Sequence, residues 1–243
     1  MRHIHPDDRS KTVRYLRNQI KCGELNFRKD LRILRDDDYV WSEVIAKIAL
    51  DDEGRLRKLA GIIIDIPERK EKEEKLTREA TLDPLTGIAN RGSFDSRFMQ
   101  MKQSLEDEGI AFSLLLLDID YFKKVNDTWG HGVGDQALKH VTQIMQNTLR
   151  EGDFVARVGG EEFAMLLHCD AAETADRIAE RIRCNVEGSP LVTSEGTISL
   201  TISIGIFNAS RGIAGQFCET MLSKADEALY EAKSTGRNKV VSY

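Results

Sequence analysis

The sequence is poor in cysteine, and its cysteines are not spaced as in a zinc or redox motif. The four residues, Cys22, Cys169, Cys184 and Cys218, are scattered along the chain without a Cys-x-x-Cys pair. This spacing indicates neither a disulfide framework nor a zinc site. We therefore expect reduced thiols and a cytoplasmic protein.

Long apolar runs and an excess of basic residues are missing as well. No stretch approaches the roughly 20 apolar residues that cross a bilayer, and residues 1–10 lack the apolar core of a signal peptide. The net charge of −5 argues against a non-specific nucleic-acid binder, which would carry a basic stripe. We expect no membrane segment and no nucleic-acid polymer among the partners.

What the chain does contain is typical of a globular protein. Its 243 residues are 41% hydrophobic and 31% charged, which suits one or two domains with a buried core. We find no internal repeat and no low-complexity segment in it.

The first part of the chain, up to Ile66, has the pattern of β-strands. Asp51–Gly54 is a turn signal between two runs that are rich in apolar residues. We expect a strand on either side of this turn. In the first of these strands, the residues that share one parity are Val40, Ser42, Val44 and Ala46.

A highly charged helix follows. Ten of the thirteen residues from Pro67 to Glu79 are charged, and three acidic–basic pairs have the i,i+4 order that stabilises a helix. Proline suits the first turn of a helix. We assign residues 67–82 to a linker helix, which is either a spacer or a signalling helix that pairs with its twin. Its apolar seam, Leu76 and Ala80, is too short to establish a coiled coil.

From Thr81 onward, segments with helical and strand patterns alternate. Residues 111–120 form an apolar run that ends in acids, as in a buried central strand, and residues 153–167 predict a strand, a turn and a strand. Residues 196–210 predict one further strand, and residues 223–236 predict a helix that ends at Gly236. This order indicates a sheet covered by helices in one α/β domain. Apolar residues at helical spacing are Phe94, Phe98, Met101 and Leu105; Leu138, Val141, Met145 and Leu149; and Ala175, Ile178, Ile182 and Val186.

Acidic residues stand at the ends of two of the predicted strands. Asp118 and Asp120 close the central strand, and Glu161 and Glu162 follow the Gly159–Gly160 turn. The simplest explanation is solvated strand ends beside a tight hairpin turn. However, clustered acids repel each other unless a cation joins them, and Mg²⁺ binds one or two carboxylates together with substrate phosphates. Asp118 and Glu161 fit that pattern, and the two glycines leave room for a bulky ligand.

The segment after the central strand carries groups that suit a nucleotide. Lys123 follows the acids closely and can neutralise phosphate charge. If a helix begins at Phe122, its first N–H groups add an anion site. Asn126 and Asp135 can hydrogen-bond the edge of guanine and leave unmet hydrogen bonds with adenine. Each of these residues taken singly is more often ordinary surface.

Taken together, these residues resemble the GGDEF family of diguanylate cyclases. Residues 159–163, GGEEF, look like the family signature, and further family motifs occur in order over about 160 residues. The resemblance implies a palm-like fold related to nucleotidyl cyclases. It also implies condensation of two GTP molecules to cyclic di-GMP and pyrophosphate by a homodimer, because each domain binds one GTP. The other motifs are DPLTGIANR (83–91), DIDYFKKVND (118–127), GHGVGD (130–135), TISIGI (201–206) and ADEALYEAKSTGRN (225–238).

The resemblance also assigns roles to residues at matching positions. It implies Mg²⁺, or alternatively Mn²⁺, held by Asp118, the main-chain oxygen of Ile119 and Glu161. Glu162 would join a second ion or the base step, and Glu161 would help to deprotonate the 3′-hydroxyl group. Lys123 would stabilise the transition state. The substrate-binding residues implied are Phe122, Lys123, Asn126, Asp135, Gly159, Gly160, Lys233 and Arg237.

A second motif resembles the inhibitory site of the family. Arg150 and Asp153 match its RxxD pattern just before the GGEEF hairpin, and they imply inhibition by cyclic di-GMP. Arg181 matches a secondary position that meets this site from another domain, and Arg177 is a weaker candidate. RxxD alone is common, and a charged turn at the end of a helix is the ordinary alternative.

Residues 1–66 resemble the C-terminal part of a PAS domain. The matching pieces are HPDDR (5–9), DDDYVW (36–41) and GIIIDIPERK (61–70). We therefore assign residues 1–66 to a partial PAS-like sensor segment and residues 83–243 to the catalytic domain. Whether the short front segment folds, is a fragment or is a degenerate module stays open, and no haem or flavin site can be argued from it.

Three other functions remain open besides an active cyclase. The first is a catalytically silent receptor that binds cyclic di-GMP through Arg150 and Asp153. The second is a scaffold that only mediates association through its N-terminal part and the charged helix. The third is a cyclase with a different base preference, although Asn126 and Asp135 favour guanine. Intact Asp118 and Lys123 favour the active enzyme.

Overall fold

The computed structural model describes residues 2–168, 172–210 and 218–243. The chain divides into two compact units, Met1–Arg78 and Glu79–Tyr243. In the described part of the chain, no helix has both the length and the apolar character needed to cross a membrane.

The N-terminal unit is a helix followed by a three-stranded antiparallel sheet. Helix α1 spans Pro6–Lys21, and the strands are β1 (Asn26–Arg35), β2 (Asp38–Leu50) and β3 (Leu56–Asp65), in the order β1-β2-β3. The predicted turn is present between β2 and β3, where the N–H of Gly54 donates to the Asp51 carbonyl over 2.9 Å. The sequence analysis did not identify α1. A small core joins Leu16 of α1 to Phe27, Leu31, Ile33, Ala46 and Ile48.

Strand β3 forms an apolar edge of this sheet. Every residue from Leu56 to Asp65 is exposed, although the strand contains three consecutive isoleucines, of which Ile62 is 58% exposed. A strand that is apolar on both faces normally lies inside a sheet, and an uncovered apolar edge is prone to pair with another strand.

The predicted charged helix is present as α2, Pro67–Thr81. None of its residues is buried. Its hydrophilic surface agrees with a solvated helix, and charge pairs such as Lys70–Glu73, in which Nζ lies 2.7 Å from Oε2, add to its stability.

The second unit is an α/β domain with a five-stranded sheet, as the sequence predicts. The sheet order is β10-β9-β4-β6-β5, so the strand with the apolar run is the central one. β4 pairs antiparallel with both of its neighbours, whereas β10 runs parallel to β9. The elements are α3 (Arg91–Glu108), β4 (Phe112–Ile119), α4 (Phe122–Trp129), α5 (His131–Thr148), β5 (Phe154–Arg157), β6 (Glu162–Leu167), α6 (Ala172–Gly188), β7 (Leu191–Thr193), β8 (Gly196–Ile198), β9 (Ile202–Ala209), α7 (Cys218–Ser234) and β10 (Val240–Ser242).

Helices cover both faces of this sheet. On one face, Leu115 and Leu117 of β4 belong to a core that includes α5 and α6; on the other, Leu114 belongs to a core that includes α3 and α7. The alternation along β4 follows from the two-residue period of a strand. The predicted apolar positions of α3 are all buried, namely Phe94, Phe98, Met101 and Leu105.

Helix α7 approaches the sheet closely because β9 has a glycine beneath it. A Cβ on Gly205 would overlap the backbone of Ala225 and Leu229. Any side chain at this position would therefore push α7 away from β9. The close contact matters for the site because the last turn of α7 carries Lys233.

One predicted element is wrong in its extent. Residues 196–210 do not form a single strand. Gly196–Ile198 pairs with β7 in a separate two-stranded sheet, and β9 begins only at Ile202. Residues 199–201 lie outside both strands. The carbonyl of Thr201 accepts the N–H of Asp120 over 2.9 Å, and its hydroxyl donates to the Asp120 carboxylate over 2.8 Å.

Candidate active site

Three charged side chains meet at the end of the central strand. Asp118 lies opposite Glu162 in the β4–β6 pairing, so both side chains project from the same face of the sheet. Asp118 is only 6% exposed. From α7, the Lys233 ammonium reaches it, with Nζ 2.6 Å from Oδ2. The topology thus brings residues from distant parts of the chain to one strand end.

In this cluster the carboxylates outnumber the positively charged groups. Burial raises the pKa of Asp118 above its usual range, Lys233 opposes that rise, and the charges of Glu162 and Asp120 add to it. Burial also raises the pKa of Glu161, with a further contribution from the Asp118 charge. The charged forms of both carboxyl groups are therefore disfavoured, and an additional cation would stabilise them.

The donor set suits a hard divalent cation that also binds phosphate. Among the residues that the structure describes, no group of three or more His, Cys, Asp or Glu side chains is arranged as a complete metal site. Asp118 and Glu161 supply two carboxylates, and Glu161 lies beside Ile119, whose N–H donates to the Glu161 carbonyl over 3.3 Å. Mg²⁺ typically takes one or two carboxylates and completes its shell with water and phosphate oxygens.

The GGEEF hairpin tip is held by a brace that the sequence analysis did not identify. Arg157 Nη1 lies 3.1 Å from Asp83 Oδ1, while Nε and Nη2 donate to the Gly160 carbonyl over 3.1 and 2.7 Å. Burial raises the pKa of Asp83, but hydrogen bonds from Thr86 and Arg157 outweigh it and lower the pKa overall. Asp83 is the first residue of the motif DPLTGIANR, so this motif could have indicated from the sequence that Asp83 has a role.

Helix α4 begins at Phe122, as the anion-site hypothesis requires. The residue before it, Tyr121, has a left-handed backbone (φ 56°), and no side chain caps the helix. Such an N-terminus presents backbone N–H groups to a ligand. Phe122 is buried and anchors the helix, while the side chain of Lys123 is exposed.

The proposed guanine-reading residues lie on α4 and α5. Asn126 is half-buried on α4, and Asp135 is exposed in the first turns of α5. Gly134, which precedes Asp135, packs directly under Asn126. A Cβ at this position would overlap Asn126 Oδ1 and lie 3.3 Å from Phe122 Cζ. Gly134 therefore determines where the Asn126 amide can sit.

The C-terminal basic residues also reach this region. Lys233 contacts Asp118, as described above. Arg237 lies with its guanidinium carbon 4.5 Å from the centre of the Tyr121 ring, next to the start of α4. The fold explains the positions of both residues, because α7 and the turn after it pass beside the ends of β4 and β9.

A second cleft contains the residues of the RxxD motif. Its volume is about 430 Å³, and it is lined by Arg150, Asp153, Arg177 and Arg181 together with Thr148, Thr174 and Ile178. From the sequence, Arg181 was expected to meet this site from another domain; in the structure it lines the cleft from α6 of its own unit. The weaker candidate Arg177 lines it as well.

The charges in this cleft are only partly paired. Asp153 is almost fully buried, and its Oδ1 accepts no hydrogen bond from the described residues; the Arg150 Nε lies 3.7 Å away. Arg150 and Arg181 each donate to a backbone carbonyl, of His168 over 2.6 Å and of Thr148 over 2.7 Å. Three guanidinium groups around one cleft fit an anionic ligand.

Comparison with known proteins gives one family. A family model described as "Diguanylate cyclase, GGDEF domain" matches residues 80–239. The probable diguanylate cyclase DgcT of Escherichia coli K12 is 46% identical over 161 residues, which are 65% of this chain and 35% of that protein. The response regulator PleD of Caulobacter vibrioides is 42% identical over 164 residues, 67% of this chain and 36% of that protein. The chain thus matches about a third of the length of these relatives.

Solved structures agree with this result. The coiled coil and GGDEF domain of DgcB from Caulobacter crescentus, in complex with c-di-GMP, is 35% identical with a TM-score of 0.67, covering 72% of this chain and 92% of that one. The active GGEEF domain of a diguanylate cyclase from Vibrio cholerae is 29% identical with a TM-score of 0.58, covering 64% and 97%. This likeness over about two thirds of the chain confirms the palm-like fold.

Proposed function

This chain belongs to the GGDEF family of diguanylate cyclases, and from that premise we propose that it condenses two GTP molecules to cyclic di-GMP and pyrophosphate. The observation that carries the proposal is the cluster at the end of β4. Two carboxylates with raised pKa values, Asp118 and Glu161, lie beside the Lys233 ammonium at the tip of the GGEEF hairpin. Such a cluster suits a metal-bound triphosphate.

Substrate binding divides into two parts. The guanine edge bonds to Asn126 and Asp135, whose positions on α4 and α5 are coupled through Gly134. The triphosphate lies between the start of α4, with the N–H groups of Phe122 and Lys123, and the basic groups of Lys233 and Arg237. Opposite charge and hydrogen-bond donors on both sides of the phosphates support this orientation.

The metal would be held by this chain's oxygen donors. We assign Asp118, Glu161 and the main-chain oxygen of Ile119 to one Mg²⁺, and Glu162 to a second; Mn²⁺ is the alternative ion. When bound, the ion polarises the α-phosphate and lowers the pKa of the attacking hydroxyl group.

In the reaction, the 3′-oxygen of one GTP attacks the α-phosphorus of the other. The new bond is a 3′–5′ phosphodiester, and the bond to the β-phosphate breaks to release pyrophosphate. The reciprocal attack then forms the second phosphodiester, closes the ring and releases the second pyrophosphate. Glu161, with Glu162 as the alternative, accepts the hydroxyl proton. Lys123 and Lys233 balance the negative charge that develops on the phosphates.

Two copies of the chain are needed for a complete reaction. Each chain has one set of guanine-reading and phosphate-binding residues, whereas the product contains two guanylates. We therefore propose a homodimer in which two sites face each other. Gly159 and Gly160 at the hairpin tip lack side chains and allow a shared substrate to approach the backbone.

The second cleft is proposed as an inhibitory product site. Arg150 and Asp153 would bond guanine and phosphate of cyclic di-GMP, with Arg181 and Arg177 adding charge. The under-bonded Asp153 Oδ1 supports this role, because a buried acceptor without a donor gains most from a ligand N–H group.

We further propose that three segments of the chain have different roles. Residues 1–66 form a partial PAS-like sensor segment, residues 67–82 a signalling helix, and residues 83–243 the catalytic domain, acting in the cytoplasm. The antiparallel sheet and helix of the N-terminal unit are compatible with the sensor assignment.

The direct test is to incubate the purified chain with GTP and Mg²⁺ and to separate the products by chromatography. Cyclic di-GMP is expected, and ATP in place of GTP should give no cyclic product. If no product forms while labelled cyclic di-GMP still binds, a forced-dimer fusion distinguishes a silent receptor from an enzyme that fails to dimerise. Absence of all nucleotide binding would leave only the scaffold.

A further inference from the structure

Asp120 is a buried carboxylate to which the proposed reaction assigns no task. It is only 5% exposed. Its Oδ1 accepts a hydrogen bond from Ser203 Oγ over 2.7 Å, and its Oδ2 accepts from Thr201 Oγ1 over 2.8 Å and from the N–H of Asn238 over 3.0 Å. Both oxygens are thus committed to donors of this chain. This separates Asp120 from Asp118, which faces a cation.

The backbone around Asp120 is unusually strained. In the described part of the chain, five residues other than glycine have a left-handed backbone. Two of them, Asp36 and Asp37, form the tight β1–β2 hairpin turn. The other three surround Asp120: Tyr121 (φ 56°) follows it, Asn238 (φ 47°) donates to it, and Arg237 (φ 62°) precedes Asn238. A left-handed backbone is unfavourable for residues with a side chain, so neighbouring contacts must hold it.

The Arg237–Asn238 turn is fixed from three directions. Asp120 holds it from the strand side. The Asn238 side chain bonds to α6, where Arg183 Nη1 donates to Oδ1 over 2.8 Å and Nδ2 donates to Glu187 Oε1 over 2.7 Å. The N–H of Arg237 closes the end of α7 by donating to the Ala232 carbonyl over 2.9 Å. The turn therefore has little freedom to move.

This fixed turn determines where the Arg237 guanidinium lies. It stands over the Tyr121 ring, and its Nη1 is 3.4 Å from the Tyr121 hydroxyl oxygen. Tyr121 itself directly precedes the helix start that presents N–H groups. Asp120 is therefore linked to both sides of the proposed phosphate site. Tyr121 follows it directly in the chain, and the N–H of Asn238 donates a hydrogen bond to its carboxylate.

We propose that Asp120 is a positioning residue: its carboxylate holds the left-handed Arg237–Asn238 turn so that Arg237 meets the triphosphate beside the start of α4. The inference rests on the proposed function, because it takes the ligand of Arg237 to be the GTP triphosphate. Asp120 touches neither substrate nor metal in this role. It acts through Arg237, and its removal should affect the phosphates but not the base.

The test is a double-mutant cycle on binding with the full chain. The probe is 3′-deoxy-GTP with Mg²⁺, which lacks the attacking hydroxyl group and cannot react; GMP, which lacks the β- and γ-phosphates, is the internal control. The variants are Asp120→Ala, Arg237→Ala and the double variant. Arg237→Ala should weaken 3′-deoxy-GTP about 10-fold or more and GMP little, as expected for loss of a charge-assisted bond. Asp120→Ala should reproduce this pattern, and the double variant should be no worse than either single one.

Each result decides between the alternatives. If Asp120→Ala weakens GMP as much as 3′-deoxy-GTP, or adds its full effect to that of Arg237→Ala, the residue is merely structural and the proposal fails. If Arg237→Ala itself does not weaken 3′-deoxy-GTP, the triphosphate assignment of the proposed function fails instead. Should Asp120→Ala not fold, Asp120→Asn keeps the shape and one acceptor oxygen but loses the other acceptor, and it should show the same triphosphate-specific loss to a smaller degree; equal weakening of both probes would overturn the proposal.

Discussion

The Lys233 ammonium lies 2.6 Å from Oδ2 of Asp118. A lysine that we propose to hold the triphosphate therefore also neutralises a proposed metal ligand. Without a metal, this ion pair is the main compensation for burying Asp118. We propose that this ion pair opens when substrate and metal bind, so that the lysine would turn to the phosphates and the ion would neutralise the carboxylate.

The first prediction concerns this exchange. Lys233→Met should lower the metal-free free energy of unfolding by roughly 1–3 kcal/mol, less than a fully buried pair would cost because the lysine is partly solvated. The same variant should bind Mn²⁺ more tightly than the wild type in the absence of nucleotide, because Asp118 is no longer paired. Titration calorimetry with Mn²⁺ alone measures this. Lys239→Met, which removes an ammonium that donates to the Thr235 carbonyl, is the matched control; unchanged Mn²⁺ affinity in Lys233→Met would contradict the exchange.

The second prediction concerns pH. The pKa values of Asp118 and Glu161 are raised by burial, so the native state binds more protons than the unfolded chain at pH values between the unfolded pKa, about 4, and the raised native pKa. In that window the free energy of unfolding falls as pH rises. Glu161→Gln removes one such group and one like charge. Without metal, the variant should therefore melt at a higher temperature than the wild type at pH 7.

This gain should shrink as the pH is lowered towards 4, where the native carboxyl groups are protonated in the wild type as well. Thermal melts at several pH values in the presence of a chelator measure it, with Glu195→Gln at the exposed β7–β8 turn as the control. A gain that grows on acidification would show that the carboxylates are not destabilising in the native state.

The third prediction concerns guanine recognition. Gly134→Ala should displace the Asn126 amide and weaken GTP binding by roughly 10-fold, the cost of one poorly made hydrogen bond in the site. Gly132→Ala is the matched control, because it lies in the same helix and a Cβ there meets nothing within 4 Å. Affinities for GTP and ATP with both variants measure the effect. Equal GTP affinity in the two variants would indicate that Asn126 does not read the base.

The fourth prediction concerns product inhibition. Arg150→Ala removes a guanidinium from the second cleft and should raise the cyclic di-GMP concentration needed for half-inhibition by roughly 10- to 100-fold. Initial rates without added product should change little. Lys139→Ala, which eliminates an exposed charge on α5, serves as the control. Inhibition that persists at the wild-type concentration would exclude this cleft as the inhibitory site.

Much of the fold follows from local pattern. The helical spacing of Phe94, Phe98, Met101 and Leu105 and the apolar run of β4 each predict an element and its buried side correctly. Apolar periodicity reports what each segment buries, and that information is local. The carboxylates at the end of β4 were predicted for the same reason, because they end an apolar run.

What the sequence could not provide depends on contacts between distant segments. At the break before β9, Thr201 bonds Asp120, 81 residues earlier in the chain. Tertiary contacts also determine the ion pair between Arg157 and Asp83 and the position of Arg181 in the cleft of its own unit. No pattern within a short window encodes such pairs.

The most direct test of the account compares the products of wild type and Glu161→Gln from GTP with Mg²⁺, measuring cyclic di-GMP and pyrophosphate together. The account predicts two pyrophosphates for each cyclic di-GMP in the wild type, since each GTP loses one, and loss of both products in the variant. Pyrophosphate release without cyclic di-GMP, or undiminished synthesis by Glu161→Gln, would contradict the proposed reaction and its assignment to the end of β4.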